Sequence, residues 1–231
     1  MGIIEAIEVV SPGPLTTVQD MGRFGYGRYG VASSGALDPF SLRIANLLVH
    51  NPEDEACLEI TLMGLKAKAL TDLTIAVTGA DLRPHLNEKP LEMWRSHVLR
   101  KGETLSFKGP GSGCRSYLAL GGGIDAPPVM GSRSTNLSSK FGGFQGRPLQ
   151  KGDILSSHSP HLHLKAGRAF DPEWVPTYPE EWLVRVVFGP QHDHFTKEAR
   201  LLFLRSLFKV TSQSDRTGIR LAGPVIERKR G

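Results

Sequence analysis

Apolar positions along this chain come in short runs broken by glycine and proline. Residues 3–10 read as a first strand, which Ser11-Pro12-Gly13-Pro14 would end. Runs at 56–62 and 73–78 are rich in residues that suit a pleated surface, and Gly64 and Gly79-Ala80-Asp81 bound them. Shorter candidates follow at 82–86, 97–99 and 103–107. A Gly109-Pro110-Gly111-Ser112-Gly113 loop then leads into a strand at 114–120, and Ile154-Leu155 reads as a closing strand. Helical spacing occurs in two places. Phe40, Ile44, Leu47 and Leu48 recur along 39–50, where Asp38 can cap the first turn and Pro39 suits the first helical position. Farther on, Thr196 can cap a segment carrying Ala199, Leu202, Phe203 and Leu207. Short strands at this spacing predict a mainly β, antiparallel barrel or sandwich with a few short helices.

The pattern also divides the chain. Residues 1–165 carry most of the strands and form an expected first domain. Between 157 and 179 the sequence is rich in proline and histidine and loses its periodicity, so 166–181 reads as a linker. Residues 182–231 offer a strand at 183–188, the second helix and strand-like pieces at 208–212 and 219–221, which is too little to close an independent sheet. They are expected to be the start of a second domain, cut short, or a piece docked on the first.

Composition narrows the function. Hydrophobic residues make up 39% and charged ones 22%, an ordinary globular balance, while 26 glycines and 16 prolines break the chain too often for long helices. Lys plus Arg exceed Asp plus Glu by 28 to 23, yet no basic run is interleaved with aromatics of the kind that tracks a nucleic-acid backbone. The excess suits an anionic small molecule or an acidic partner. Cys57 and Cys114 are the only cysteines, which leaves no disulfide framework and no zinc knuckle. The amino terminus lacks a secretory pattern and no apolar run reaches bilayer length, so a cytoplasmic protein without a membrane span is expected.

Candidate chemistry lies in two glycine-punctuated stretches. The first, residues 16–46, sets Gly22, Gly25, Gly27, Gly30 and Gly35 among Gln19, Asp20, Arg23, Tyr26, Ser34 and Asp38. Glycines let the backbone turn tightly, and the polar groups between them supply directed hydrogen bonds. Arg23 can hold a carboxylate or phosphate in its fork, and Asp20 can act as a base or simply pair with Arg23. Asp38 reads as a helix cap or as a proton handler. The second stretch, Gly131-Ser132-Arg133-Ser134, combines a flexible backbone with a guanidinium and two hydroxyls, a set that can bind an oxyanion, although serines in loops also serve turns. Glu59, between Leu58 and Ile60, faces away from them, into solvent or into a cleft. His161 with His163, and His192 with His194, have a ligand-like spacing without a third partner, so solvated histidines and no metal are expected.

At these residues the chain resembles a known family. Gly13-Pro14-Leu15-Thr16-Thr17-Val18-Gln19-Asp20, Gly22-Arg23, Gly25-Tyr26, Ser34-Gly35-Ala36, Asp38, Thr78-Gly79-Ala80-Asp81, Gly121-Gly122-Gly123, Gly131-Ser132-Arg133-Ser134-Thr135, Gly189-Pro190-Gln191 and Ser214-Asp215-Arg216 are similar to the signature of allophanate hydrolase subunit 2, also called the C subunit of 5-oxoprolinase. Thr217 and Ile219 depart from the usual methionine and aromatic. The resemblance implies cyclophilin-like, β-barrel-like domains in a pair, and hence a second domain beginning at 182. It also implies a component of an ATP-dependent amide or lactam hydrolase, with 5-oxoproline opened to glutamate. The partners would be a subunit 1-type protein, like the B subunit of 5-oxoprolinase, and a lactamase-like third protein, with ATP used by the complex. Two other branches leave alternatives open: the carboxyltransferase part of a biotin-dependent urea carboxylase, with biotin arriving on another protein, and a non-catalytic regulator that binds an inhibitor of a histidine kinase. In the hydrolase reading Asp20, Asp38 and Arg133 are the catalytic candidates. Gln19, Arg23, Tyr26, Ser34, Ser132 and Ser134 are the substrate-binding ones.

Overall fold

A computed structural model describes residues 2–158 and 166–229, which fall into two compact units, Met1–Glu180 and Glu181–Gly231. The first unit runs β1 (Ile3–Pro12), β2 (Leu15–Gln19), α1 (Pro39–Leu48), β3 (Cys57–Thr61), β4 (Leu65–Ala69), β5 (Leu73–Asp81), β6 (Pro84–Leu86), β7 (Lys89–Pro90), β8 (Ser96–Leu99), β9 (Thr104–Phe107), β10 (Ser112–Leu120) and β11 (Ile154–His158). Every pairing among these strands is antiparallel. The strands form a six-stranded sheet in the order β11-β1-β4-β9-β6-β7 and a five-stranded sheet in the order β2-β3-β10-β5-β8. The expected mainly β, antiparallel fold is therefore the one adopted, as two sheets.

Side-chain alternation explains the layering. On β4, Leu65, Ala67 and Ala69 turn inward while Lys66 and Lys68 face water. They join Ile7, Val9 and Leu105 against Leu58, Ile60, Ile75, Val77, Leu118 and Leu120 of the other sheet, forming one apolar cluster. Each fully buried leucine or isoleucine contributes about 1.5–3 kcal/mol. The opposite face of the five-stranded sheet carries Cys57, Ala76, Tyr117 and Ala119, and α1 covers it with Leu42, Ala45 and Leu48. Burial pushes the Cys57 thiol up, so it is an inert part of this packing. The sheet thus has an oily face and a mixed one. The polar residues on the mixed face lie at the start of α1.

Three expectations change. β2 falls inside the stretch read as a polar loop: Leu15 to Gln19 pair residue by residue with Thr61 to Cys57 of β3, and the threonines and valine suit that pleated edge. The stretch 166–181 does not hang free: Ser96 N donates to Arg168 O and Phe170 N to Trp94 O, both at 2.8 Å. In the second unit, α2 (Lys197–Arg205) begins at the expected Thr196 cap, and β12 (Lys209–Val210) pairs with β13 (Leu221–Ala222). Residues 183–188 form no strand, because no neighbouring strand takes up their backbone groups; Leu183 and Val187 are almost fully exposed. A cavity of about 410 Å³ lies in this unit among Val186, Phe188, Phe195, Phe203 and Ile226. His192 and His194 are exposed on a short 3-10 turn, whereas His161 and His163 lie outside the described residues. No helix among the described residues is long and apolar enough to cross a membrane.

Candidate functional site

The first glycine-rich stretch closes on itself. Arg23 N donates to Ser33 O at 2.8 Å and Ala36 N to Asp20 O at 2.9 Å, so residues 22–35 form a loop with a narrow neck. Gly22 and Gly35 make the neck possible. Both have positive φ, +94° and +88°, and a Cβ on Gly35 would lie 3.0 Å from Gly22 Cα. Beyond the neck, Phe24 and Tyr29 stand exposed at the tip.

The second stretch docks onto the base of this loop through Asp20. Its Oδ1 accepts from Ser132 Oγ at 2.6 Å, from Gly22 N at 2.8 Å and from Ser134 Oγ, and its Oδ2 accepts from Arg133 N. Ser134 Oγ in turn accepts from Asp20 N at 2.9 Å, and Thr135 N and Oγ1 both donate to Val18 O. Four donors meet a carboxylate with about four acceptor sites. Asp20 is 7% exposed and spent on holding the loops together, which does not fit the free base expected from the sequence. The alternative Asp20–Arg23 ion pair does not form either.

Arg23 is buried and committed elsewhere. Its Nε donates to Val129 O at 3.3 Å and its Nη2 to Ser134 O, while the guanidinium lies 4.8 Å from the centre of the Phe141 ring. Two backbone carbonyls therefore occupy the fork expected to grip an anion, and only Nη1 remains without a partner. Burial lowers the pKa of this group, partly opposed by the nearby Asp20. Ser132 and Ser134 are likewise buried, and Gln19 donates to Thr17 Oγ1 and Thr135 O. These four residues build the clamp instead of lining an open cleft. The members of the predicted set that are not buried are Tyr26, Ser34, with φ +55° beside the neck, Arg133 and, at the start of α1, Asp38. The Arg133 side chain is 33% exposed; its Nε donates to Ala126 O at 3.1 Å and its Nη1 lies 3.5 Å from Glu55 Oε1. The two loops do converge, on a carboxylate and not on paired guanidiniums.

A second polar cluster surrounds Asp38. As the N-cap of α1 it accepts from Ser41 N at 3.0 Å and from Ser41 Oγ at 2.6 Å, and it also accepts from the Tyr178 hydroxyl at 3.1 Å. Behind it, Asp38 N donates to the Tyr117 hydroxyl at 2.8 Å, and that hydroxyl donates to Glu59 Oε2 at 2.8 Å. Glu59 Oε2 also accepts from Leu37 N, and Oε1 lies 3.5 Å from Arg115 Nε. Glu59 is thus on the face opposite Leu58 and Ile60, as its position in the strand requires, but it is buried rather than solvated. Burial drives the Tyr117 phenol well above its ordinary value, so it stays a donor. Sequence reasoning misses Tyr117, Arg115 and Tyr178. The alternation of β10 could have flagged Tyr117 on the α1 face beside Glu59, whereas nothing local marks Tyr178 in its proline-rich segment.

The chain as a whole is similar to known proteins. The family model described as "Carboxyltransferase domain, subdomain A and B" matches residues 29–230. The C subunit of the 5-oxoprolinase of Escherichia coli K12 is 39% identical over 96% of this chain, and the match takes in 70% of that protein. The urea amidolyase of Lachancea kluyveri is also 39% identical, over 95% of this chain, which spans 13% of the amidolyase. The crystal structure of the K. lactis urea amidolyase superposes with a TM-score of 0.87 at 38% identity, covering 97% of this chain and 14% of that one.

Proposed function

Because the chain belongs to the carboxyltransferase domain family, we propose that it acts as the C-type component of a 5-oxoprolinase, an assembly that opens a cyclic amide with ATP hydrolysis. One observation carries the choice: the similarity takes in 70% of the E. coli 5-oxoprolinase component but 13% of the Lachancea amidolyase, so the first name bears more directly on this stretch. A B-type component and a lactamase-like protein complete the assembly in this reading.

Within it the residues divide by access. Arg133, with Tyr26 and Ser34, meets the anionic part of the substrate or of a phosphorylated intermediate, because these are the binding candidates on the two loops that are not buried. Asp38 handles the proton. The role expected of Asp20 passes to it because Asp20 is buried and already takes four donors, whereas Asp38 is half-buried and takes three. Asp20, Arg23, Gln19, Ser132 and Ser134 hold the loops in register.

The test is phosphate release on adding 5-oxoproline to the reconstituted complex. Arg133→Ala is expected to lower it on the order of a hundredfold. Release that ignores the substrate, or an unaffected variant, counts against these roles. Equal identity to urea amidolyase favours a second reading, carboxyl transfer within a urea carboxylase. Biotin would then arrive on another protein, supplying the carboxyl group; the open donors of Tyr26, Ser34 and Arg133 suit a ureido oxygen or a carboxylate. Urea-dependent turnover with a carboxylated carrier, and none with 5-oxoproline, selects that reading.

A further inference from the structure

Residues 166–180 return across the first unit and touch α1 at three places. Arg168 Nη1 donates to Leu47 O at 2.7 Å, a cation placed at the helix end that favours it. Phe170 packs against Phe40 and Trp94 with ring centroids 5.8 and 5.7 Å away. Tyr178 reaches the other end, where its hydroxyl donates to Asp38 Oδ2 at 3.1 Å and lies 3.4 Å from Ser41 Oγ.

The Tyr178 contact goes beyond capping. Ser41 N and Oγ already tie both oxygens of Asp38 to the first turn, which is all an N-cap needs. The ring packs closely on β10: the strand's pairing with β5 shifts register between Ser112 and Ser116, and a Cβ on Gly113 would lie 2.7 Å from Ala80 Cβ and 3.0 Å from Tyr178 Cγ. Burial and the neighbouring Asp38 carboxylate, offset in part by a hydrogen bond with Ser41, push the phenol up to about 12. It is therefore a proton donor to Asp38 throughout the neutral range.

We infer that Tyr178 is a positioning residue for Asp38, holding the carboxylate in the orientation in which it takes or gives the substrate proton; this rests on the role proposed for Asp38. Without the hydroxyl, Oδ2 keeps only the rotatable Ser41 hydroxyl, and the carboxylate loses its one side-chain partner from outside α1. Proton transfer then suffers while substrate capture at Arg133 does not.

Two measurements on the full chain test this and separate its failure from that of the proposed role. In a 13C-tyrosine titration, Tyr178 should ionise near pH 12 in the native protein and at lower pH in Asp38→Asn, since the carboxylate charge is gone. A titration unchanged by that substitution overturns the contact. In the assembled complex, Tyr178→Phe should lower kcat about tenfold with KM within about twofold, and should add nothing to Asp38→Asn. Equal losses in both backgrounds would mean that Tyr178 acts through something else, overturning the inference. Full turnover by Asp38→Asn removes the proton role from Asp38, and the inference falls with it even where the titration confirms the contact.

Discussion

Asp20 and Asp38 stand eighteen positions apart in one glycine-rich stretch, and by sequence alone they are equal candidates for proton transfer. Their surroundings separate them. Asp20 gathers three donors on one oxygen and one on the other, from its own loop and from a segment more than a hundred residues away. Asp38 takes its cap bonds from the first turn of its own helix and a third from Tyr178, and it remains half-buried. A carboxylate that joins distant segments of chain is buried and committed by the joining. One that caps a helix at the surface can keep a second task.

The sharpest way to break this comparison is to remove Asp20. Asp20→Ala strands the buried Ser132 and Ser134 hydroxyls, each an unpaired donor worth about 1–3 kcal/mol, and the part-buried Arg133 amide as well. Urea unfolding should show a loss of roughly 3 kcal/mol or more. A loss below about 1 kcal/mol would mean that the loops hold together without the carboxylate, and Asp20 would again be free for chemistry.

Next in size is the layer beneath Asp38. Tyr117→Phe removes a hydroxyl that accepts from Asp38 N and donates to Glu59, leaving both short of a partner. A destabilisation of about 1–2 kcal/mol is expected. Asp38→Ala should cost less stability, about 1 kcal/mol for a lost cap, yet abolish turnover if Asp38 handles the proton. If the ranking reverses, with Asp38→Ala the more destabilising and still active, then Asp38 is only a cap.

What can be read from the sequence follows the range of the interactions involved. Short β-rich runs bounded by glycine and proline mark β1, β3, β5, β9 and β10, and the Asp38-Pro39 and Thr196 signals mark the starts of α1 and α2, because composition, turns and caps are local. β4 escapes such a reading because Leu-Lys-Ala-Lys-Ala has weak strand propensity; its place is fixed by pairing with β1 and β9. The strand expected at 183–188 has the local signal but no partner strand. At the site, both loops are legible as polar and glycine-rich. Which carboxylate would be filled is not, since the partners of Asp20 lie 112 to 114 residues along the chain and Tyr178 lies 140 from Asp38.

A third aspartate supplies the smallest effect and a control. Asp153 meets Arg147 in a two-bond fork, Oδ2 to Nη1 and Oδ1 to Nη2, both at 2.8 Å, and also accepts from Gln150 N. Burial alone would raise its pKa, but the Arg147 fork and the Gln150 amide outweigh that and hold the carboxyl below its usual range. Lowered in the folded state, it stabilises the fold above the ordinary carboxylate pKa, and that stability fades as pH falls through the lower folded value. Partial exposure keeps the effect small, under about 1 kcal/mol. Native protein and Asp153→Asn should therefore differ in urea midpoint from about pH 5 to 8 and converge below about pH 3. A gap that persists in acid would show that Asp153 works through shape and neutral hydrogen bonds, as Asp20 does with its serines, and not through its charge.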